Sequence, residues 1–496
     1  MTPPIDPIPE RSRTIMTTEE ATKRSAPAAE HSTALRQGAI GVLGILFFVL
    51  SAQAPLTGIA GALPLTVFLG NGAGAPGAYL AIGVIIVLFA VGFIAMSRRV
   101  EAKGAFYAYI TAGLGRRVGT GSAWLALLSY ATVQAAMYGL YGAIVAGLFA
   151  SVGITVPWWL AVLVTIAIVQ LLGSLNIELG AKVLAVLVGC EVAILLGFAI
   201  GTLIHGGGPQ GGINLAASFS PSAVLAGAPG VALMFAVASM FGFESTAIYS
   251  GEAKDPKRTV ARATYLSVAV IALFFSFVSW MFVSYYGAGN VAAAAKKAVE
   301  SGDSTSFVFQ AMSGILGPWA GTVGNLLLVT SLFAGILAFH NGINRYLHAL
   351  ASQRSLPAKL ARTNQHQAPH IAAWAQSILS IILIAPFAIL SLDPVLTLFS
   401  WFSGLSVAAL VALYVLCSVA VIVYGIRNRL EDRWQTRVAP ALAAVLLLGV
   451  LVLIVVNFTA LIGGELVTAV ILLAVVPAAF IVGAVTERHP RQLLTA

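Results

Sequence analysis

The stretch "LSAQAPLTGIAGALP", Leu50–Pro64, decides how this chain folds. It lies inside an apolar run that begins near Gly38 and ends near Phe68, long enough to cross a bilayer as one helix. Its middle nevertheless carries Ser51, Gln53 and Thr57 together with Pro55, Gly58 and Gly61. Backbone groups freed by a helix break find no water in hydrocarbon. They persist only where protein buries them or where they line a watery cavity. The break over Ser51–Gly61 is therefore expected to mark a cavity or a site. A proline kink with glycines for close helix packing would use the same residue types, so a second signal is needed.

The second signal is "FAVASMFGFESTAIYSGEAKDPKR", residues 235–258, where Gly242 and Glu244 interrupt another apolar run beside Ser245 and Thr246. Hydropathy divides the chain into twelve spans, at about 37–67, 77–97, 118–149, 156–175, 179–204, 228–251, 260–286, 319–350, 370–391, 394–424, 438–462 and 464–484. The two interrupted runs are spans one and six. Breaks five helices apart are what an inverted repeat of spans one to five and six to ten would give. Paired discontinuous helices are the best sequence pointer to a transporter's central site.

Composition agrees with a membrane protein. The 496 residues are 59% hydrophobic and only 9% charged, with mean hydropathy +0.94, against about 25% charged in soluble domains. Cys190 and Cys417 stand alone in apolar runs and suggest neither a disulfide framework nor a metal cluster. The net charge of +9 does not suggest nucleic acid, because the basic residues fall between apolar runs. With the amino terminus inside, 25 of 27 Lys and Arg residues lie on the cytoplasmic side and only Lys296 and Lys297 outside. The positive-inside rule then puts both termini in the cytoplasm. The expected organisation is a disordered cytoplasmic tail over 1–36, a ten-helix core over 37–424, helices eleven and twelve over 425–484, and a cytoplasmic tail over 485–496.

The sixth-span run continues as "FGFESTAIYSGEAKDPKRTVARA" (241–263), which resembles the sixth-helix signature of the amino acid–polyamine–organocation transporters. "EAKGAFYAYITAGLGRRVG" (101–119) is similar to that family's loop between helices two and three, "LNIELGAKVLAVLVGCEV" (175–192) to its fifth helix, and "NRYLHALASQRSLPAKLARTN" (344–364) to its loop after helix eight. The resemblance covers most of residues 38–424 in the expected order. It implies an all-α membrane fold of the leucine-transporter type, a five-plus-five inverted repeat with helices one and six broken and two more helices at the end. It also implies movement of amino acids or related amines by proton coupling or exchange, in the cytoplasmic membrane of a bacterium.

Carried over by position, the resemblance implies that Ala54, Leu56, Thr57 and Gly58 line the substrate site from helix one, and Ala238, Phe241, Gly242 and Phe243 from helix six. Relatives place a glycine–small–glycine stretch in the first break. With Pro64 as anchor it falls on Thr57, Gly58 and Ile59, where only the middle glycine is kept. Amides that open a half-helix favour a carboxylate, and carbonyls that close one can hold an ammonium. Phe241 is a candidate aromatic gate; Trp401, Phe402, Tyr130 and Tyr138 are weaker candidates.

Of eighteen acidic residues only Glu191 and Glu244 fall near the middle of a span, and ionisable groups there are functional candidates. Glu244 sits at the sixth-helix break and can cap the following half-helix, gate, or carry a proton. Glu191 lies twelve residues into span five, ~18 Å deep and near the midplane at ~1.5 Å per residue. Several sodium-independent relatives place a lysine near this position; here it is glutamate, a candidate proton carrier. Lys182 can snorkel to the interface, the run Lys254 to Arg262 anchors topology, and His340 suits a hydrogen-bonded structural role or titration near neutral pH.

No phosphate-binding glycine loop with a following lysine, zinc-spaced ligand set or nucleophile motif is found in the sequence. The expectation is a transporter rather than an enzyme. Its partners are a small-molecule amino acid and membrane lipid, with no nucleic acid and no evident protein partner. No cofactor is expected, and a proton gradient supplies the drive. The alternatives are a polyamine or amino-acid/amine exchanger and, in a different class, a transporter-like sensor that binds without moving its ligand. Polyamines would need several carboxylates, which favours a monocarboxylate amino acid.

Overall fold

A fully apolar sequence with proline near its start makes a membrane-length helix of residues 75–97. Pro76 needs no amide partner in the first turn, and Tyr79, Ile82, Ile86, Phe89, Phe93 and Met96 recur at helical spacing on the buried face. The computed structural model describes residues 53–486 apart from 101–105, 176–180, 245–255, 353–355 and 367, together with Val42, Leu46, Val49 and Leu50. The amino-terminal tail, residues 487–496, Ser245, Thr246 and the run Glu252–Asp255 lie outside the described residues, as does the side chain of Lys182.

The main helices in chain order are α1 (Ala75–Ser97), α2 (Phe106–Leu114), α3 (Arg116–Ser151), α4 (Trp158–Ser174), α5 (Ala181–Ile204), α6 (Pro229–Ala238) and α7 (Pro256–Tyr286). Then follow α8 (Val291–Glu300), α9 (Ser306–Leu316), α10 (Trp319–Ser352), α11 (His370–Ile389), α12 (Ser400–Arg427), α13 (Ala439–Leu461) and α14 (Leu466–Val485). No strand occurs among the described residues. Nine helical runs among them are long and apolar enough to cross a membrane, and α4, α6 and α9 are shorter apolar helices. The first of the nine, Thr57–Ser97, is interrupted at Gly70 (φ −102°, ψ −118°) and Gly72 (φ +59°), where the sequence reading separates spans one and two.

In the span expected over 228–251, α6 ends at Ala238 and turns follow over 239–242, just before the interruption expected at Gly242 and Glu244. Two features differ from expectation. The segment 287–317, read as an external connection, contains α8 and α9. The amino-terminal part of span ten, Pro394–Phe399, is a wider π-helical turn capped by Asp393, whose carboxylate accepts from Val395 N at 2.8 Å and Leu396 N at 2.6 Å.

Outward faces are apolar. Val470 and Ile471 of α14 and Val445 and Val456 of α13 are largely exposed, a surface suited to lipid rather than water. Inside, polar side chains tie helices together, as dry surroundings favour. Gln134 Nε2 on α3 donates to the Ile336 carbonyl on α10 at 3.0 Å, and Gln376 Nε2 on α11 donates to Gln134 Oε1. Ser377 on α11 donates to Gln170 Oε1 on α4 at 2.6 Å, and Ser406 on α12 donates to the Ser129 carbonyl on α3 at 2.7 Å. Helices α3, α4, α10 and α11 thus form a cross-linked frame beside the interrupted helices.

Candidate functional site: two helix breaks and two buried glutamates

The first break falls at Ala54, whose φ of +46° is unusual for a residue with a side chain. Pro55 follows and contributes no amide, so Leu56 carries the first free N–H of the next half-helix. That N–H donates to Glu191 Oε2 at 3.0 Å, a contact that brings α5 to the break across 135 residues of sequence. Glu191 is buried, and Ser331 of α10 lies within interaction range of its carboxylate. Beyond the cap the chain runs as a π-helical turn over Thr57–Ala62. Among the described residues the non-helical one is Ala54, inside the break expected over Ser51–Gly61, while Thr57 to Ile59, where relatives place their glycine stretch, belong to the second half-helix. Thr57 Oγ1 and both polar atoms of the Gln53 side chain are buried without hydrogen-bond partners among the described residues.

The second break begins where α6 ends. Met240 N donates to the Val237 carbonyl at 2.9 Å and Phe241 N to the Ala238 carbonyl at 3.3 Å, so the chain tightens over its last turn. Gly242 then takes φ +98°, a conformation that glycine adopts without steric cost. Its N–H donates to Glu244 Oε2 at 3.0 Å. Glu244 is buried, and Tyr130 of α3 and Tyr414 of α12 lie close to it. The two breaks share one arrangement: a backbone turn in the left-handed region with a buried glutamate on an amide beside it.

The breaks also meet. A side-chain carbon on Gly58 would lie 3.3 Å from Ser239 Oγ, at the end of α6, and 2.5 Å from Phe275 Cε1 on α7. Phe275 is itself buried and stacked on Tyr79 of α1 at 5.5 Å between ring centroids. Of the helix-six residues expected at the site, Phe241 packs edge-on against Phe339 of α10 at 6.4 Å. Phe243 points into an aromatic cluster instead, edge-on to Phe89, Phe93 and Tyr414 at 6.0, 6.3 and 5.8 Å. Ala238, the last residue of α6, is half-buried. Tyr130 stands against Phe339 and Tyr346 at 6.3 and 6.4 Å, whereas Trp401 and Phe402 pack on Phe387. Tyr138 is fully buried in the core. His340 of α10 has its ring where a side chain on Gly173 of α4 would fall.

A cavity of about 990 Å³ opens between the end of α3, α9 and the start of α10. Asp303, Ser306, Gln310, Asn325 and Leu140 are among the residues that line it. Leu140 also covers the first broken helix: a side-chain carbon on Gly61 would lie 2.5 Å from Leu140 Cδ2. Leu140 thus stands between the cavity and the first broken helix, one turn beyond Gly58. Sequence reasoning did not find Ser239, Phe275 or Ser331. Each is an ordinary apolar-helix residue whose role depends on the neighbour it meets.

Interrupted helices with buried acidic groups inside a multi-pass bundle are the arrangement from which membrane transporters build a central site. Comparison with known proteins gives the family. The sequence profile described as amino acid permease matches residues 40–482, and the chain belongs to this family. It is similar, at 24% identity over 343 residues, to the branched-chain amino acid permease BcaP of Lactococcus lactis, covering 64% of this chain and 70% of that protein. It is 25% identical over 340 residues to the L-asparagine permease of Streptomyces coelicolor, covering 63% and 64% of the two chains. L-asparagine permease 1 of Mycobacterium tuberculosis is 23% identical over 351 residues, covering 64% and 65%. The matched region thus spans less than two thirds of either asparagine permease.

Proposed function

We propose that this protein is a secondary active transporter, not an enzyme, that imports an amino acid by proton symport and alternating access. The observation that carries the reading is the pairing of each helix break with a buried glutamate bonded to a backbone amide, Glu191 on Leu56 and Glu244 on Gly242. The amino acid would lie across the breaks, its carboxylate toward the positive end of the half-helix that follows Ala54, beyond the Leu56 amide that Glu191 holds, and its ammonium toward the carbonyls that end α6. The family's name and those of the relatives support the substrate class. The proposed architecture is twelve spans, with a five-plus-five inverted repeat and both termini in the cytoplasm of a bacterial cell.

Coupling follows from the Glu191 bond. A carboxylate accepts an amide hydrogen bond about twice as strongly as a neutral group does. Protonating Glu191 therefore weakens the tie between α5 and the second half of helix one. The difference, about 1 kcal/mol, changes a two-state population about fivefold. Substrate binding on the same half-helix supplies the rest of the shift. Glu244, bonded two residues back within its own break, is assigned to gating.

The polyamine reading is less well supported. Among the described residues only Glu191 and Glu244 are buried acids, and both already bond to backbone amides. Several ammonium groups would lack carboxylate partners. Competition by the twenty amino acids and the common polyamines against one labelled substrate in proteoliposomes tests this. A single amino acid class should compete; competition by polyamines alone would replace the reading.

The topology has its own test. In a background with Cys190 and Cys417 replaced by serine, Ser301→Cys should react with an impermeant thiol reagent added to intact cells. Arg117→Cys should react only after permeabilisation. Both positions are exposed in the fold, so the opposite pattern would invert the assignment.

A further inference from the structure

The start of α6 lies inside the protein, and every amide in its first turn can be followed to a partner. Ala228 N donates to the Gly70 carbonyl at 3.0 Å, at the far end of the first broken helix. Pro229 has no N–H. Gly230 N donates to Asn457 Oδ1 on α13 at 2.8 Å, across 227 residues. Val231 N and Ala232 N return to the Ala228 carbonyl at 3.0 and 3.5 Å. The one amide that neither its own helix nor the first broken helix satisfies is therefore held by a single side chain of α13.

The contact is close as well as polar. A side-chain carbon on Gly230 would lie 1.9 Å from the Leu453 carbonyl oxygen, one turn before Asn457 on the same helix. That contact fixes glycine at 230 and lets Asn457 reach the amide. The first broken helix is tied to the same region, since Asn71 Nδ2 donates to the Val224 carbonyl at 3.0 Å. The outer parts of both interrupted helices thus converge where α13 grips α6.

We infer that Asn457 is a positioning residue of the transport cycle, holding the sixth half-helix by its start so that α13 takes part in the movement of the broken helices. The inference rests on the transporter reading above. Asn457 does not touch the proposed substrate site: Gly230 lies nine residues before Ser239, about 14 Å along the helix. Its loss should change the rate of conformational exchange and leave substrate affinity unaltered. An amide left without an acceptor where water cannot reach it is costly, so the effect should be measurable.

Asn457→Ala removes the acceptor and Asn457→Asp keeps one, with a charge that a helix start favours. Uptake of a labelled amino acid in proteoliposomes is measured per folded transporter, at several substrate concentrations. Asn457→Ala should lower the maximal rate roughly three- to tenfold, as expected for one lost hydrogen bond, with KM within about twofold. Asn457→Asp should recover at least half of the lost rate. An Asn457→Ala variant with wild-type maximal rate overturns the inference, even if its thermal stability falls. So does a change confined to KM, or an equal loss in the alanine and aspartate variants. Should wild-type protein move no amino acid, it is the transport reading that fails.

Discussion

Gly242→Leu should abolish amino acid uptake while leaving folded protein in the membrane. Gly242 holds φ +98° between the end of α6 and Glu244, and its N–H carries the bond to that carboxylate. A branched side chain in this region of backbone space costs about 1–3 kcal/mol, and the simplest relief is to swing the peptide into a helical geometry. That movement takes the amide away from Glu244 and closes the break. Gly58→Leu should have the same outcome by a different route. Its first side-chain carbon would lie 2.5 Å from one atom of the Phe275 ring and 2.8 Å from another, and that ring is buried against Tyr79. The milder Gly58→Ala should already slow uptake. Combining it with Phe275→Leu should restore part of the loss, because the two positions share one contact. Normal uptake by both leucine variants would remove the site from these breaks.

Glu191→Gln is expected to separate exchange from accumulation. The amide oxygen of Gln still accepts from Leu56 N–H but carries no charge and binds no proton, so it imitates the protonated carboxyl group. Counterflow of internal for external substrate should persist, within about threefold of wild type, the range of one weakened hydrogen bond. Gradient-driven accumulation should fall to equilibration. Glu191→Ala, which leaves the Leu56 amide without its acceptor, should impair both. Glu244→Gln is the contrasting variant: its contact lies within the sixth-helix break, so binding and exchange should be disturbed together. Wild-type accumulation and pH dependence in Glu191→Gln would make Glu191 structural and pass the proton-carrying role to Glu244.

Much of this organisation is legible in the sequence because lipid imposes simple rules. Apolar runs mark the helices, and Gly242 with Glu244 marks an interruption that hydrocarbon would not tolerate. What could not be read is which atoms meet. With Pro64 as anchor, the glycine stretch of relatives falls on Thr57–Ile59. The backbone turns at Ala54, inside the expected break, where Pro55 offers no amide and Glu191, 135 residues away, takes the next one. Phe241 and Phe243 flank Gly242 and look alike in sequence, yet the ring of Phe243 enters the cluster of Phe89, Phe93 and Tyr414 while Phe241 packs on Phe339, with the positive-φ turn at Gly242 between them. α8 and α9 escaped notice for a different reason. α8 carries Lys296 and Lys297, and α9, though apolar, is too short to read as a membrane-crossing run. Asn457 is one polar residue in an apolar span, and only the fold brings the Gly230 amide to it.

The central claim, that a proton gradient drives amino acid import through the two breaks, is tested most directly in proteoliposomes with an imposed pH gradient, acid outside. Wild-type protein should concentrate a labelled amino acid above its external level, lose that accumulation when a protonophore collapses the gradient, and show neither response when Glu191 is replaced by Gln. Accumulation that survives collapse of the gradient, or that Glu191→Gln performs as well as wild type, would contradict the account.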